Sequence, residues 1–230
     1  MFPIGDDNVK GSGVAFVTIL LILANVLAFL LEISQPSERA LQAFIQAWGV
    51  VPREFSAGQD LPPAIPFPYW STLLTSMFLH GGWAHLGGNM LFLWIFGDNI
   101  EHRLGHARFL AFYLACGLAA GLAHILTNAG SAIPTVGASG AISGVLGGYL
   151  VMYPRNRVYV MTYGGVATVP AIVMLGLWIV LQFVNGIGSI ANTPETGGVA
   201  YIAHIGGFVA GAALAPLMAV GRRDTRYVDA

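Results

Sequence analysis

Ser139 stands in Gly137-Ala-Ser-Gly-Ala-Ile-Ser-Gly144, at the start of an apolar stretch that runs to about Tyr153. A hydroxyl there does nothing for solubility. Two roles suit the segment. Gly140, Gly144 and Gly148 recur every fourth residue, a small-residue stripe that lets helices approach closely in a membrane. Alternatively Ser139 is a nucleophile, with small neighbours that let backbone and substrate reach its oxygen. A serine hydroxyl attacks only when a base takes its proton. His204 is the candidate base, because it carries the one imidazole of the last apolar segment and imidazole titrates near neutral pH. Ala203, Gly207 and Gly211 surround it at four-residue intervals, a surface able to meet the glycines beyond Ser139. The competing role for His204 is that of an interior histidine with satisfied hydrogen bonds. His85 and Asn89 are four residues apart and share a helix face. Both can donate hydrogen bonds, and acyl transfer at Ser139 needs donors for the developing oxyanion. The Ser139 backbone N–H is a third such donor. The alternative for Asn89 is a plain bond to another helix.

These residues sit in a chain of 230 residues that is 56% hydrophobic and only 9% charged. Soluble domains carry about 25% charged residues, so the deficit points to a membrane protein. The net charge of −1 offers no basic footprint for nucleic acid. The single cysteine, Cys116, lies in an apolar segment and excludes an intramolecular disulfide and a cysteine metal site. The first apolar run is too long for a signal-peptide core and is read as a retained helix.

Six apolar segments must position the polar groups, at roughly 13–33, 83–100, 108–127, 137–153, 168–187 and 199–220. A span takes about 20 residues, and the fourth segment is short for one. The expected architecture is an all-α bundle of six transmembrane helices in a single domain, 1–230, with short tails at about 1–12 and 221–230. Six spans put both termini on one side. With the termini in the cytoplasm, the inner segments hold Lys10, Arg103, Arg108, Arg155, Arg157, Arg222, Arg223 and Arg226, and the outer segments hold only Arg39 and Arg53. The positive-inside rule selects that orientation.

Depth then follows from a rise of about 1.5 Å per residue through a hydrocarbon core about 30 Å thick. Counted from Tyr153, Ser139 lies about 21 Å above the inner face. His204 lies about 25 Å up, His85 about 24 Å and Asn89 about 18 Å. All four fall in one slab of the outer leaflet, on three helices running the same way. No Asp or Glu shares that depth, so the arrangement is a Ser139–His204 dyad without a third carboxylate. His124 shares the slab at about 24 Å and has no assigned role. His80 precedes the second span and orders the loop end. Glu101 and Arg103 form a local structural pair.

Two loops are unusual. The stretch 34–82 carries Trp48, Phe55, Phe67, Tyr69 and Trp70, with Pro52, Pro62, Pro63, Pro66 and Pro68. It is read as a structured element lying partly in the outer leaflet, against the alternative of a loose aromatic loop. Residues 188–198 are small and polar, with glycines at both ends. They make a candidate flap or an ordinary connector.

Together these motifs resemble the rhomboid intramembrane serine proteases. The resemblance is carried by His80-Gly-Gly-Trp-Ala-His85-Leu-Gly-Gly-Asn89-Met, Glu101-His-Arg103-Leu-Gly105, Gly137-Ala-Ser139-Gly140 and Ala203-His204-Ile-Gly-Gly207, on spans two, four and six in that family's order. It implies Ser139 as nucleophile, His204 as base, and His85, Asn89 and the Ser139 amide as oxyanion hole. It also implies a lateral gate near the fifth span and a cap at 188–198. Transmembrane protein substrates, the lipid bilayer as surroundings, no cofactor and no metal are implied as well. Two departures stand out. Tyr69-Trp70-Ser71-Thr72 lacks the arginine that many members carry in that loop. Ser143 replaces the aromatic that some members place four residues after the nucleophile, which leaves open what orients His204. Inactive relatives lack catalytic residues; this chain keeps both.

Other function classes fit less well. A transporter would place polar residues at several depths. A metalloenzyme built on His80, His85, His124 and His204 lacks a His-Glu-x-x-His pattern and a nearby carboxylate. A soluble Gly-x-Ser-x-Gly hydrolase is excluded by Ala141 at the last glycine position. A catalytically inactive relative that binds membrane clients remains distinguishable by a cleavage assay. For an active enzyme the substrate is a membrane protein with a weak span, cut near its outer end at a small residue. A peptide bond inside a stable apolar helix is already committed to that helix's own hydrogen bonds.

Overall fold

The computed structural model describes residues 2–7, 13–191 and 200–222. The chain is mostly helical. Six long helices stand at the six apolar segments: α1 (Phe16–Ile33), α5 (Trp83–Leu104), α6 (His106–Thr127), α7 (Ser139–Met152), α8 (Ala171–Ala191) and α9 (Tyr201–Met218). Three of them, α1, α6 and α9, are long and apolar enough to cross a membrane. Helix α7 is shorter, and α8 qualifies only as a shorter apolar stretch, Ala171–Gly186.

Helix α7 is the axis of the molecule. Eleven of its residues, Gly140 to Tyr149 and Met152, are buried, so it is covered on every side, as a helix apolar all round must be. Its most extensive neighbour is α9, with α6 and α5 next. The glycine stripes explain how close α9 comes. A Cβ placed on Gly207 would fall 2.0 Å from the Gly140 carbonyl oxygen, and one on Gly211 would fall 1.9 Å from that of Gly144. No side chain fits between these backbones, so the helix surfaces meet main chain to main chain.

The first helix is held by a buried carboxylate. Glu101 of α5 accepts from the Val17 and Thr18 amides at 2.8 and 2.7 Å and from the Thr18 hydroxyl at 2.7 Å, and His106 bonds it as well. A carboxylate at a helix N-terminus satisfies amides that have no intrahelical acceptor and meets the positive end of the dipole. The expected Glu101–Arg103 pair is therefore corrected. Glu101 caps α1, while Arg103 Nη1 donates to the Arg222 carbonyl at 3.2 Å.

The stretch between α1 and α5 is folded. It holds α2 (Glu38–Trp48), α3 (Pro52–Ala57) and α4 (Thr72–Thr75). Ser37 caps α2, accepting from the Ala40 amide at 3.2 Å. The stretch docks on the segment ahead of α7. Val50 bridges Thr135, the Arg53 amide donates to the Ser131 carbonyl at 2.9 Å, and Ser56 donates to the Ala129 carbonyl at 2.7 Å. These bonds anchor the loop that lacks the arginine.

Among the described residues, a three-stranded antiparallel sheet adds to the helical expectation. It is built from β1 (Phe2–Asp6), β2 (Arg157–Thr162) and β3 (Gly165–Pro170), in that order. Strands β2 and β3 form a hairpin closed by the two residues Tyr163-Gly164, a loop length that joins adjacent strands directly. Val158 and Val160 face inward and are fully buried, the period-2 pattern of a half-buried strand. β1 adds to the free edge of β2, pairing Phe2 with Met161 and Asp6 with Val158. The sheet occupies the end of the bundle opposite Ser139.

Candidate active site

Ser139 is the first residue of α7. The turn before it passes through Gly137, whose φ of +131° is a conformation that side chains rarely adopt. The Gly137 amide donates to the Ser76 carbonyl at 2.9 Å, which ties this turn to the folded loop. At the start of a helix, the first-turn N–H groups have no intrahelical acceptor, and Ser139 remains partly exposed. The serine thus combines a reachable hydroxyl with a local field that favours negative charge.

His204 lies in the first turn of α9 and is 8% exposed. Its Nε2 is 2.8 Å from Ser139 Oγ. The close main-chain approach at Gly140–Gly207 and Gly144–Gly211 sets that distance, because Ser139 immediately precedes Gly140 and His204 stands about one turn before Gly207. The other ring nitrogen, Nδ1, is 2.8 Å from Gln182 Oε1 of α8. One turn earlier on α8, Trp178 lies against the imidazole with ring centroids 6.0 Å apart and planes 33° apart. The aromatic neighbour of His204 therefore comes from α8. Ser143, at the position where the resemblance leads one to look for it, donates instead to the Ser139 carbonyl at 2.6 Å.

His85 and Asn89 rise from the first two turns of α5. His85 Nδ1 accepts from the Gly81 amide at 3.3 Å, which leaves the ring proton on Nε2. A Cβ on Gly137 would meet His85 Cε1 and Nε2 at 2.9 Å and Ser139 Oγ at 3.6 Å. The Nε2 edge of His85 thus faces the turn that carries the serine. Asn89 is buried, and its Nδ2 has no hydrogen-bond partner among the described residues. A buried amide donor without an acceptor costs stability, and it is the kind of group an incoming oxyanion would satisfy.

The remaining histidines do other work. His124 Nε2 bonds the Thr135 hydroxyl at 2.7 Å, and its Nδ1 faces Asn128 at 3.4 Å, which fastens the end of α6 to the segment before α7. The His80 amide donates to Glu32 of α1 at 2.9 Å, and the His80 ring meets His85 edge to face at 5.1 Å. Of the stretch 188–198, the structure describes only the backbone of 188–191, as the end of α8; the rest of the candidate flap lies outside the described residues.

Gln182 is the site residue that sequence reasoning missed. Its signal was present: a carboxamide in an otherwise apolar run, Ala171 to Phe183, about 16 Å along the helix from Ala171 by the rise per residue.

Comparison with known proteins identifies the family. The Rhomboid domain profile matches residues 68–220, roughly two thirds of the chain and all of the helices that carry the site. Rhomboid protease GluP of Bacillus subtilis is 40% identical over 146 residues, 63% of this chain and 26% of that protein. Rhomboid protein 1, mitochondrial, of Saccharomyces cerevisiae is 29% identical over 144 residues, 61% of this chain and 39% of that protein. The putative rhomboid protease YdcA of Bacillus subtilis is 29% identical over 159 residues, 69% and 71% of the two chains. The chain thus spans well under half the length of the first two relatives. On the extent of these matches, the chain belongs to the rhomboid family, a family of integral membrane proteins.

Proposed function

We propose that this chain is an intramembrane serine endopeptidase acting on transmembrane segments of other proteins, with Ser139 as nucleophile and His204 as general base. The observation that carries the reading is the 2.8 Å contact between Ser139 Oγ and His204 Nε2, next to donors on α5. His204 takes the hydroxyl proton as Oγ attacks the scissile carbonyl. The oxyanion is met by the Ser139 amide, Asn89 Nδ2 and His85 Nε2–H. The imidazolium then protonates the leaving amine, and a water activated by the same base releases the acyl group.

The architecture we propose is a six-span bundle formed by the whole chain, with both termini in the cytoplasm. The distribution of Lys and Arg supports it. In that orientation the site opens toward the outer side, and the folded stretch 34–82 lies partly in the outer leaflet. The substrate is then a membrane protein whose span unwinds near its outer end, since only an extended segment can present its carbonyl.

The test is labelling with a serine-reactive fluorophosphonate in detergent, together with cleavage of a single-span substrate. Wild type should be labelled and should cut near the outer end of the span, and Ser139→Ala should do neither. A folded wild type that takes no label and cuts nothing is the result expected of an inactive, client-binding relative and would overturn the reading.

A further inference from the structure

We propose that Gln182 is a positioning residue for the base, holding His204 in the one tautomer that can take the proton of Ser139. This rests on the dyad proposed above. A neutral imidazole carries a single ring proton. For Nε2 to accept from the Ser139 hydroxyl, that proton must sit on Nδ1. Gln182 Oε1 is 2.8 Å from Nδ1, an acceptor placed where this tautomer needs one. With Nδ1–H donating to Oε1 and Nε2 facing Oγ at 2.8 Å, both ring nitrogens are occupied and the ring plane is set from two sides. Trp178, one turn away on the same helix, lies against the ring and limits its tilt.

The usual occupant of such a position is a carboxylate, which orients the imidazole and stabilises its charged form. Gln182 and His204 are 9% and 8% exposed. An ionised carboxylate there would face a large desolvation cost, whereas a carboxamide supplies the same acceptor geometry with no charge to bury. It gives orientation without the ionic stabilisation. The amide can also fail. Turned about its terminal bond it would offer an N–H to Nδ1, move the ring proton to Nε2 and leave the serine without a base. Only the acceptor orientation is productive.

The position in the fold adds a consequence. Serine and base stand on α7 and α9, which are packed main chain to main chain, while the orienting group stands on α8, which touches α7 only lightly. The dyad is built into the rigid pair, and its tautomer is set by a third helix.

The experiment compares wild type, Ser139→Ala, Gln182→Leu and Gln182→Glu in detergent. Gln182→Leu should lower kcat and the rate of fluorophosphonate labelling about 10- to 100-fold with KM changed less than about twofold. Gln182→Glu, which keeps an acceptor oxygen, should recover most of that loss. Nitrogen-15 spectra of labelled His204 should show the Nδ1–H form in wild type and a mixture in Gln182→Leu. In a His204→Ala background the leucine change should do nothing further. Gln182→Met, of similar length, replaces the leucine variant if that one unfolds. Normal labelling and an unchanged tautomer in folded Gln182→Leu, with Ser139→Ala inert, would overturn the role of Gln182 and leave the dyad standing. A loss of activity that tracks a lowered unfolding temperature, with no recovery by Glu, would overturn it too. If wild type itself takes no label, it is the dyad that fails.

Discussion

The two ends of α7 carry buried polar clusters of opposite design. At the far end from the serine, the Tyr149 hydroxyl and Asn99 Nδ2 both donate to Asp6 of β1, the latter at 2.6 Å. Asn156 Nδ2 reaches Tyr149 and the Asp7 carbonyl, both at 3.2 Å. Asp7 in turn pairs with Arg157 at 2.9 Å and accepts from Tyr159 at 2.8 Å. Each of these groups closes a bond to another part of the chain. At the serine end, Asn89 Nδ2 is buried without a partner among the described residues, and Ser139 opens a helix whose first amides have no intrahelical acceptor. A folded chain tolerates unpartnered donors at a cost in stability. They persist where another molecule completes them. The closed bonds around Asp6 and Asp7 suit a structural role for the sheet end, and the unpartnered Asn89 donor suits the chemistry proposed for the other end.

The largest effect should follow from the serine end. His204→Ala is expected to abolish cleavage and labelling as completely as Ser139→Ala, and the double variant should be no worse than either, because the two act as one unit. Unfolding temperatures should stay near that of wild type. If the double variant fell well below both singles, the residues would be acting separately.

Next in size is Asn89→Ala. It should lower kcat about 10²- to 10³-fold, while thermal stability holds or rises, since the change removes a buried donor that has no acceptor. Normal turnover in this variant would assign the oxyanion to other donors. A marked loss of stability would mean that Asn89 is a structural group, and the contrast between the two ends would collapse.

How much of this was legible in the sequence depends on range and charge. The six apolar segments coincide with the six long helices because helix-forming apolar runs are local patterns. Ser139, His85, Asn89 and His204 were found because polar groups in apolar runs are costly, and depth counting put them in one layer. Gln182 was passed over because it carries no charge and belongs to no motif, although the same rule applies to it. The hairpin at 157–170 alternates over only six residues a strand, too short a pattern to stand out beside long apolar helices. β1 was invisible for a different reason. Its pairing joins Asp6 to Val158, and nothing near Asp6 in sequence signals an edge so far along the chain. The capping role of Glu101 is equally non-local, since its amide partners lie on α1.

Smaller effects, and the reverse pattern, should come from the sheet end. Tyr149→Phe strips Asp6 of one donor and should cost about 1–3 kcal/mol of stability. Turnover per folded molecule should remain within about twofold of wild type, because the substitution leaves the groups around Ser139 in place. Loss of turnover without loss of stability would show that the two clusters are coupled through α7, and the division of labour drawn from their hydrogen bonds would be wrong.

The smallest expected effect is a slope. Burial pushes the Asp6 carboxyl up to about 7, with the neighbouring charges of Asp98 and Asp7 acting in the same direction and the bonds from Tyr149 and Asn99 opposing them. In the unfolded chain an aspartate titrates near 3.9. Between about pH 4 and pH 7 the folded state therefore holds a proton that the unfolded state has released. Stability must fall as pH rises through that window and level off above it, since the slope takes the sign of protons bound in the unfolded state minus those in the folded one. Asp6→Asn removes the titrating group and keeps an acceptor for Tyr149, so it should flatten the slope. The check is the midpoint of thermal unfolding in detergent from pH 4.5 to 8, for wild type and Asp6→Asn, with fluorophosphonate labelling recorded at each pH. If Asp6→Asn leaves the slope intact, another carboxyl carries it. If it changes labelling per folded molecule at fixed pH, the sheet end reaches the chemistry at the other end of α7.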